Sequence, residues 1–288
     1  MKPRTVAIVQ ARMGSARLPG KVLMDIGGSA MLDRVLERTS RSTLLDEVLV
    51  ATTTEAADDE LSAYCRKRGW RCFRGSQFDV LDRYLKAARL AKAEVIVRVT
   101  GDCPLIDGGL VDEAIQTLLA GSADAARTPA ADRPTAYDFV ANRLPPPWTR
   151  TYPIGLDVEV CTVGSLERAW KEAAEPQQRE HVMPYLYEDV ELHSLPGHLL
   201  AGRSPRGFRI AVLQCEADYG TYRWTVDTAE DLEFVRRVYL QLGDSKEFTW
   251  ADVLELVQSV PDLMTINAAV RHKSLRDVDE RAAGKPSS

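Results

Sequence analysis

Between residues 5 and 119, short β-rich runs alternate with segments of helical length, and this alternation limits the fold most. The runs at 5–9, 47–51, 71–73 and 94–99 read as strands. Residues 30–40, 58–68, 80–92 and 110–119 read as helices, and Met31, Leu32, Val35 and Leu36 share one helical face. A chain alternating in this way predicts an α/β fold: a mostly parallel sheet covered by helices on both faces. Residues 123–153 are rich in Ala, Pro and Arg and read as an excursion, a loop with edge strands. Beyond it, 155–161, 208–213 and 222–226 read as strands. The segments 163–174, 177–187, 229–242 and 250–260 read as helices, and the tail after Arg271 is polar.

Composition removes several classes. A chain of 288 residues with 45% hydrophobic and 27% charged side chains can bury a core, which excludes a disordered or fibrous protein. The 37 Lys and Arg against 42 Asp and Glu leave −5, so a dedicated nucleic-acid coat is not expected. No apolar run is long enough for a membrane helix or a signal-peptide core. The five cysteines are odd in number and include no C-x-x-C pair, so neither a disulfide framework nor zinc is indicated. Reduced thiols in the cytoplasm are the expectation.

The most informative segment follows the first strand directly: Gln10-Ala11-Arg12-Met13-Gly14-Ser15-Ala16-Arg17-Leu18-Pro19-Gly20-Lys21. From Lys2 to Lys21 every charge is positive, and the first acid is Asp25, so the local charge opposes the global one. In α/β sheets ligands bind beyond the carboxyl ends of strands. Glycines there let backbone N–H groups approach an anion while Arg and Lys supply charge, which suits a triphosphate. The spacing of Gly14 and Gly20, and Val22 after Lys21, exclude a Walker A loop. The plain alternative is a surface loop with solvated arginines.

Asp102 ends a strand within Thr100-Gly101-Asp102-Cys103-Pro104, a good position for a carboxylate ligand to Mg²⁺. Asp227 follows the run 222–226 and precedes a helix. Either aspartate could instead be a helix cap, Asp227 as readily as not. Asp157 and Glu159 alternate along a strand and would share a face near Tyr152, where acceptor hydroxyls or an amine could bind; solvated edge residues would look the same. Glu180-His181 lies on a predicted helix, and a lone histidine there is more often structural. Cys103 has no neighbouring base, so a buried thiol is the better reading than a nucleophile.

The opening loop, from Ile8 to Lys21, closely resembles that of the cytidylyltransferases that activate sugar acids, such as the synthetases of CMP-3-deoxy-manno-octulosonate and CMP-sialate. Phe73-Arg74-Gly75-Ser76, Asp79-Val80-Leu81-Asp82-Arg83-Tyr84, Arg98–Asp107, Gly155–Val160, Arg179-Glu180-His181-Val182 and Arg223–Thr228 resemble the spore-coat polysaccharide (SpsF-type) branch. The resemblance runs from about residue 5 to about residue 267. Ile154 and the long stretch 123–148 depart from the branch pattern near the expected acceptor pocket.

The resemblance implies a Rossmann-like nucleotidyltransferase domain over 1–270. Within it, 123–205 would be an acceptor and dimerisation excursion, and 271–288 would be a tail. It implies transfer of CMP from CTP to a hydroxyl of a sugar-acid-like acceptor, with pyrophosphate released, in polysaccharide precursor synthesis. Arg12, Lys21, Asp102 and Asp227 would be catalytic, with Mg²⁺ on the two aspartates. Gln10, Ala11, Arg12, Met13, Gly14, Ser15, Arg17 and Lys21 would hold the nucleotide together with Gly75, Ser76, Asp79, Val80, Arg83, Thr100 and Gly101. Tyr152, Asp157, Glu159, Glu180 and His181 would face the acceptor. A homodimer contacting through 144–200 is implied, with neither nucleic acid nor membrane as partner. A glycosyltransferase using a ready-made nucleotide sugar and a non-catalytic nucleotide-binding protein are the alternatives. A glycosyltransferase usually carries D-x-D where this chain has Asp102-Cys103-Pro104.

Overall fold

The computed structural model describes residues 2–120, 137–243 and 247–271. Nine strands form one sheet in the order β5-β4-β1-β6-β8-β7-β11-β10-β9. Its core is parallel: β5 (Cys72–Gly75), β4 (Glu47–Thr53), β1 (Thr5–Gln10) and β6 (Val95–Thr100). Strand β8 (Glu159–Thr162) runs antiparallel to both β6 and β7 (Phe139–Ala141). Strand β7 is parallel to β11 (Arg209–Leu213), after which β10 (Leu199–Arg203) and β9 (Glu191–Leu195) close the sheet antiparallel. A two-residue hairpin (β2, Asp25–Ile26; β3, Ser29–Ala30) stands apart.

The alternation of side chains in β1 explains the two cores. Ala7 and Val9 pack with α1 (Met31–Thr39), α4 (Gly108–Leu119), α8 (Ala229–Leu242) and α9 (Trp250–Ser259). Val6 and Ile8 face α3 (Val80–Leu90), α5 (Val163–Glu172) and the helices after it. A parallel strand buried on both faces must be apolar throughout, as Thr5–Val9 nearly is. The predicted layering is thus present, with the helix from 59 (α2, Asp59–Arg68) packing on β4 and the edge strand β5.

Four local expectations are corrected. The segment 139–141 is an interior strand rather than an edge: Phe139, Val140 and Ala141 are fully buried between β8 and β11. The helix expected over 177–187 is two, α6 (Pro176–His181) and α7 (Pro184–Tyr187). Pro184 lacks the N–H needed to continue α6, and Val182 turns the chain with φ +73°. The strand expected over 155–161 begins only at Glu159. Residues 222–226 are extended but form no ladder, because their partners are loops: Trp224 N–H donates to Ile154 and Val226 N–H to Asp102. The hairpin β9–β10 was not anticipated. Residues 123–136 and the tail beyond 271 lie outside the described residues.

Candidate active site

Four loops meet at the carboxyl ends of β1 and β6. The loop after β1 is closed on itself, since the Met13 carbonyl accepts from both Ser15 N–H and Gly20 N–H at 2.9 Å. Buried Asp58 anchors it by accepting from Met13 N–H at 2.7 Å. Gly20 turns the chain at φ +71°, a conformation that suits glycine, and delivers Lys21 inward. Ser15 Oγ accepts from Leu18 N–H. Gly101 is demanded by crowding: a Cβ there would meet the Gln10 carbonyl at 2.9 Å.

Lys21 is the meeting point. Its Nζ donates to Asp102 at 3.0 Å, to Asp227 at 2.9 Å and to the Val226 carbonyl at 2.7 Å. The two aspartates, distant in sequence, therefore face one ammonium. Burial opposes the Lys21 charge, but Asp102 and Asp227 outweigh it and hold its pKa above the ordinary value. Burial also opposes the Asp227 charge, yet Lys21, Arg17 and Arg223 draw its carboxyl down to about 2. Arg17 reaches Asp227 at 2.7 Å and Arg223 at 2.8 Å. Thr228, not Asp227, takes the N-cap of α8, which leaves the Asp227 carboxylate facing the cations.

The fourth loop brings the segment 154–157 against the Asp227 segment. Gly155, at φ +108°, lies so close that a Cβ would meet Thr225 N at 2.5 Å. Thr225 Oγ1 in turn donates to the Asp102 carbonyl at 3.0 Å. A cavity of about 140 Å³ opens here, lined by residues that include Arg98, Asp102, Arg143, Asp157, Glu159 and Asp227.

Asp157 and Glu159 both reach this cavity, but neither is a free carboxylate. Arg150 holds Asp157 with two nitrogens and Arg143 donates to it at 3.2 Å. Glu159 is ion-paired with Arg98. Burial opposes the charges on Arg98 and Arg143, but Glu159 and Asp157 respectively outweigh it and hold both pKa values above the ordinary range. Tyr152, Glu180 and His181 do not line the cavity. Tyr152 is 5% exposed and packs against Trp250, an aromatic in the core rather than at the mouth. Glu180 and His181 sit on α6, which packs on α3.

The residues after β5 form a separate wall beside α3. Asp79 caps α3 through Asp82 N–H and pairs with Arg179. Ser76 Oγ accepts from Asp79 N–H, and the Ser76 carbonyl accepts from buried Arg83. Val80 is in the core, and at Gly75 a Cβ would meet Arg83 Cγ at 2.9 Å. Gln10 Oε1, Arg83 Nε and Arg98 Nε are buried without a hydrogen-bond partner among the described residues. Such groups are costly to bury unless something completes them. Thr100 Oγ1 lies 3.1 Å from Cys103 Sγ, and Ala11 is core. Burial and Asp102 push the Cys103 thiol well up, so it is no nucleophile at neutral pH.

Sequence reasoning assigned no role to Arg98, Arg143, Arg223 or Asp231. Arg98 had a signal: a lone charge between valines in a strand buried on both faces must meet a buried acid or a ligand. The others had none: Arg143 meets Asp157 14 positions on, and Arg223 meets Asp231 8 positions on, through turns of the backbone that composition does not show.

Residues 6–282 match the cytidylyltransferase family. The chain belongs to that family. It is 32% identical to the spore coat polysaccharide biosynthesis protein SpsF of Bacillus subtilis over 263 residues, 90% of this chain and 95% of that one. Its structure matches a cytidylyltransferase from Leptospira borgpetersenii serovar Hardjo-bovis with TM-score 0.76 and 32% identity, covering 94% and 100% of the two chains. A CMP:2-keto-3-deoxy-manno-octonic acid synthetase complexed with CTP shares the fold, with TM-score 0.54, 20% identity and 83% and 100% coverage. No described helix is long and apolar enough to cross a membrane.

Proposed function

We propose that the chain transfers CMP from CTP to a hydroxyl of a sugar-acid-like acceptor and releases pyrophosphate. The convergence of Lys21 on Asp102 and Asp227 beside the cationic loop carries this reading. Arg12, Arg17 and Lys21 would bind the triphosphate and the departing pyrophosphate, with Met13, Gly14 and Ser15 as the loop's backbone contribution. Catalysis by these groups is positioning and charge stabilisation rather than covalent chemistry.

Asp102 and Asp227 offer hard carboxylate oxygens aimed at one point, which fits Mg²⁺. No group of three or more metal-ligating side chains occurs among the described residues, so substrate phosphates and water would complete the shell. When bound, Mg²⁺ neutralises phosphate charge and lowers the pKa of the attacking hydroxyl. Lys21 would then release the aspartates and turn to a phosphate.

Gln10, Thr100, Gly101 and the wall from Gly75 to Arg83, including Ser76, Asp79 and Val80, would receive the nucleoside. The uncompleted polar atoms of Gln10, Arg83 and Arg98 support a hydrogen-bonding base near them. The acceptor would enter the cavity of Asp157 and Glu159, where Arg98 and Arg143 complement an acid group. Tyr152, Glu180 and His181 lie outside the lining of this cavity. A homodimer through 144–200 belongs to the same proposal; β9, within that segment, is the outer strand of the sheet and mostly exposed.

Calorimetry tests the nucleotide half. CTP with Mg²⁺ binds with a dissociation constant at least tenfold below those of UTP, ATP and GTP. Equal binding of all four, or none, would remove the cytidylyl assignment.

A further inference from the structure

We propose that Arg223, Asp231 and Asn267 form a positioning unit that fixes the Asp227 carboxylate, with Asn267 supplied by the C-terminal segment. This rests on the function proposed above, in which Asp227 serves the phosphate end of the site.

Asp231 is the hub. It is fully buried and stands at the third position of α8, where a capping box with Thr228 accounts for its bond from Thr228 N–H. Four further bonds have nothing to do with capping. Its carboxylate accepts from Asp227 N–H at 2.9 Å, from Arg223 Nε at 2.9 Å and Nη2 at 2.8 Å, and from Asn267 Nδ2 at 2.9 Å. A helix needing only a cap would not gather a buried guanidinium and a buried amide around it.

Arg223 transmits the arrangement. Its Nη2 bridges from Asp231 to Asp227 Oδ2 at 2.8 Å, while Lys21 holds Asp227 Oδ1. The two oxygens of Asp227 are thus gripped from different sides, and its backbone N–H is held by the same Asp231. Burial opposes the Arg223 charge, and Asp231 and Asp227 outweigh it. Asn267 closes the unit by donating from one Nδ2 to both the Arg223 carbonyl and Asp231. Both of those are pure acceptors, which fixes the amide's orientation. Asn267 is 4% exposed and its amide donates to Arg223 and Asp231 rather than to Asp102, so it acts on the site through those two residues. Groups that orient a metal-binding carboxylate commonly set its affinity.

The test compares Asn267→Ala with Thr249→Ala, which removes the N-cap of α9 and leaves this unit intact. CTP binding is followed by calorimetry while Mg²⁺ is titrated, and kcat and acceptor KM are measured alongside. In Asn267→Ala the Mg²⁺ needed for half-maximal CTP binding rises about tenfold, kcat falls and acceptor KM stays within about twofold. CTP affinity without Mg²⁺ is unchanged. Thr249→Ala lowers Tm and keeps the wild-type Mg²⁺ requirement. Asp231→Asn, which keeps the cap acceptor and removes the charge facing Arg223, moves the Mg²⁺ requirement in the same direction and serves if Asn267→Ala does not fold. A folded variant with lowered Tm and a wild-type Mg²⁺ requirement would make the unit structural only and overturn the proposal. A wild-type protein that does not bind CTP would instead overturn the proposed function, and this inference with it.

Discussion

Lys21 Nζ lies 2.9 Å from an Asp227 carboxylate oxygen across a separation of 206 positions, and the same nitrogen lies 3.0 Å from Asp102. One ammonium therefore joins the loop after β1 to the segment of Asp227. Replacing it with Ala leaves two carboxylates facing each other and removes the cation proposed to bind phosphate. Lys21→Ala lowers kcat/KM by a factor of roughly 10² to 10³, the scale for loss of one charge-stabilising group. Lys21→Arg does not restore it, because a planar guanidinium cannot replace a compact ammonium shared by three acceptors. Steady-state kinetics, with circular dichroism to confirm folding, check both.

Asp227 makes stability depend on pH at the acid end. Its carboxyl is drawn to about 2 in the folded protein against an ordinary value of 3.8. A depressed carboxylate contributes stability that is present above the unfolded pKa and lost as pH falls through the folded one. The window is thus from about pH 5 down to about pH 2, and the contribution at neutral pH is about 2 kcal/mol. Asp227→Asn abolishes this part of the pH dependence, as denaturant unfolding at several pH values will read.

Gly155 holds the segment 154–157 against the Asp227 segment. An added Cβ would strike Thr225 N at 2.5 Å and the Trp224 carbonyl carbon at 2.6 Å, in a backbone region that L side chains avoid. Gly155→Ala destabilises the protein by roughly 3 kcal/mol and lowers transfer as well, because relief of the clash must move Thr225 and with it Asp102. Thermal unfolding and turnover on the same preparation check the pairing of the two losses.

Arg98 and Glu159 form a buried pair beneath the cavity. Glu159→Ala strands the guanidinium and costs about 3–5 kcal/mol. Replacing both with apolar residues of similar volume, Arg98→Met with Glu159→Leu, restores most of that stability. The double variant stays inactive with acidic acceptors, since Arg98 is then gone. Urea unfolding and acceptor-dependent pyrophosphate release separate the two effects.

The loop after β1 was legible in the sequence as a local feature. Glycines, cations and the end of a strand all fall within Gln10–Lys21, and strand and helix periods place that loop at the carboxyl end of a strand. The surroundings of Asp157 and Glu159 were not legible. Asp157 and Glu159 read as available carboxylates, and only the fold brings Arg98, Arg143 and Arg150 onto them. Residues 222–226 read as a strand because Tyr, Trp, Thr and Val favour extended backbone, but their composition does not say that loops rather than strands receive their hydrogen bonds. Tyr152 illustrates the same limit, since an aromatic near a predicted pocket is more often core. Asn267 gave no signal, because its role depends on a buried partner 36 positions away.

The most direct measurement is pyrophosphate release with Mg²⁺, comparing CTP, UTP, ATP and GTP across a panel of sugar-acid acceptors, with a CMP-sugar donor in parallel. The account predicts release that needs both CTP and an acceptor, at a rate lost in Lys21→Ala. Release with every nucleotide alike, or no release with CTP alongside group transfer from the nucleotide sugar, would contradict it.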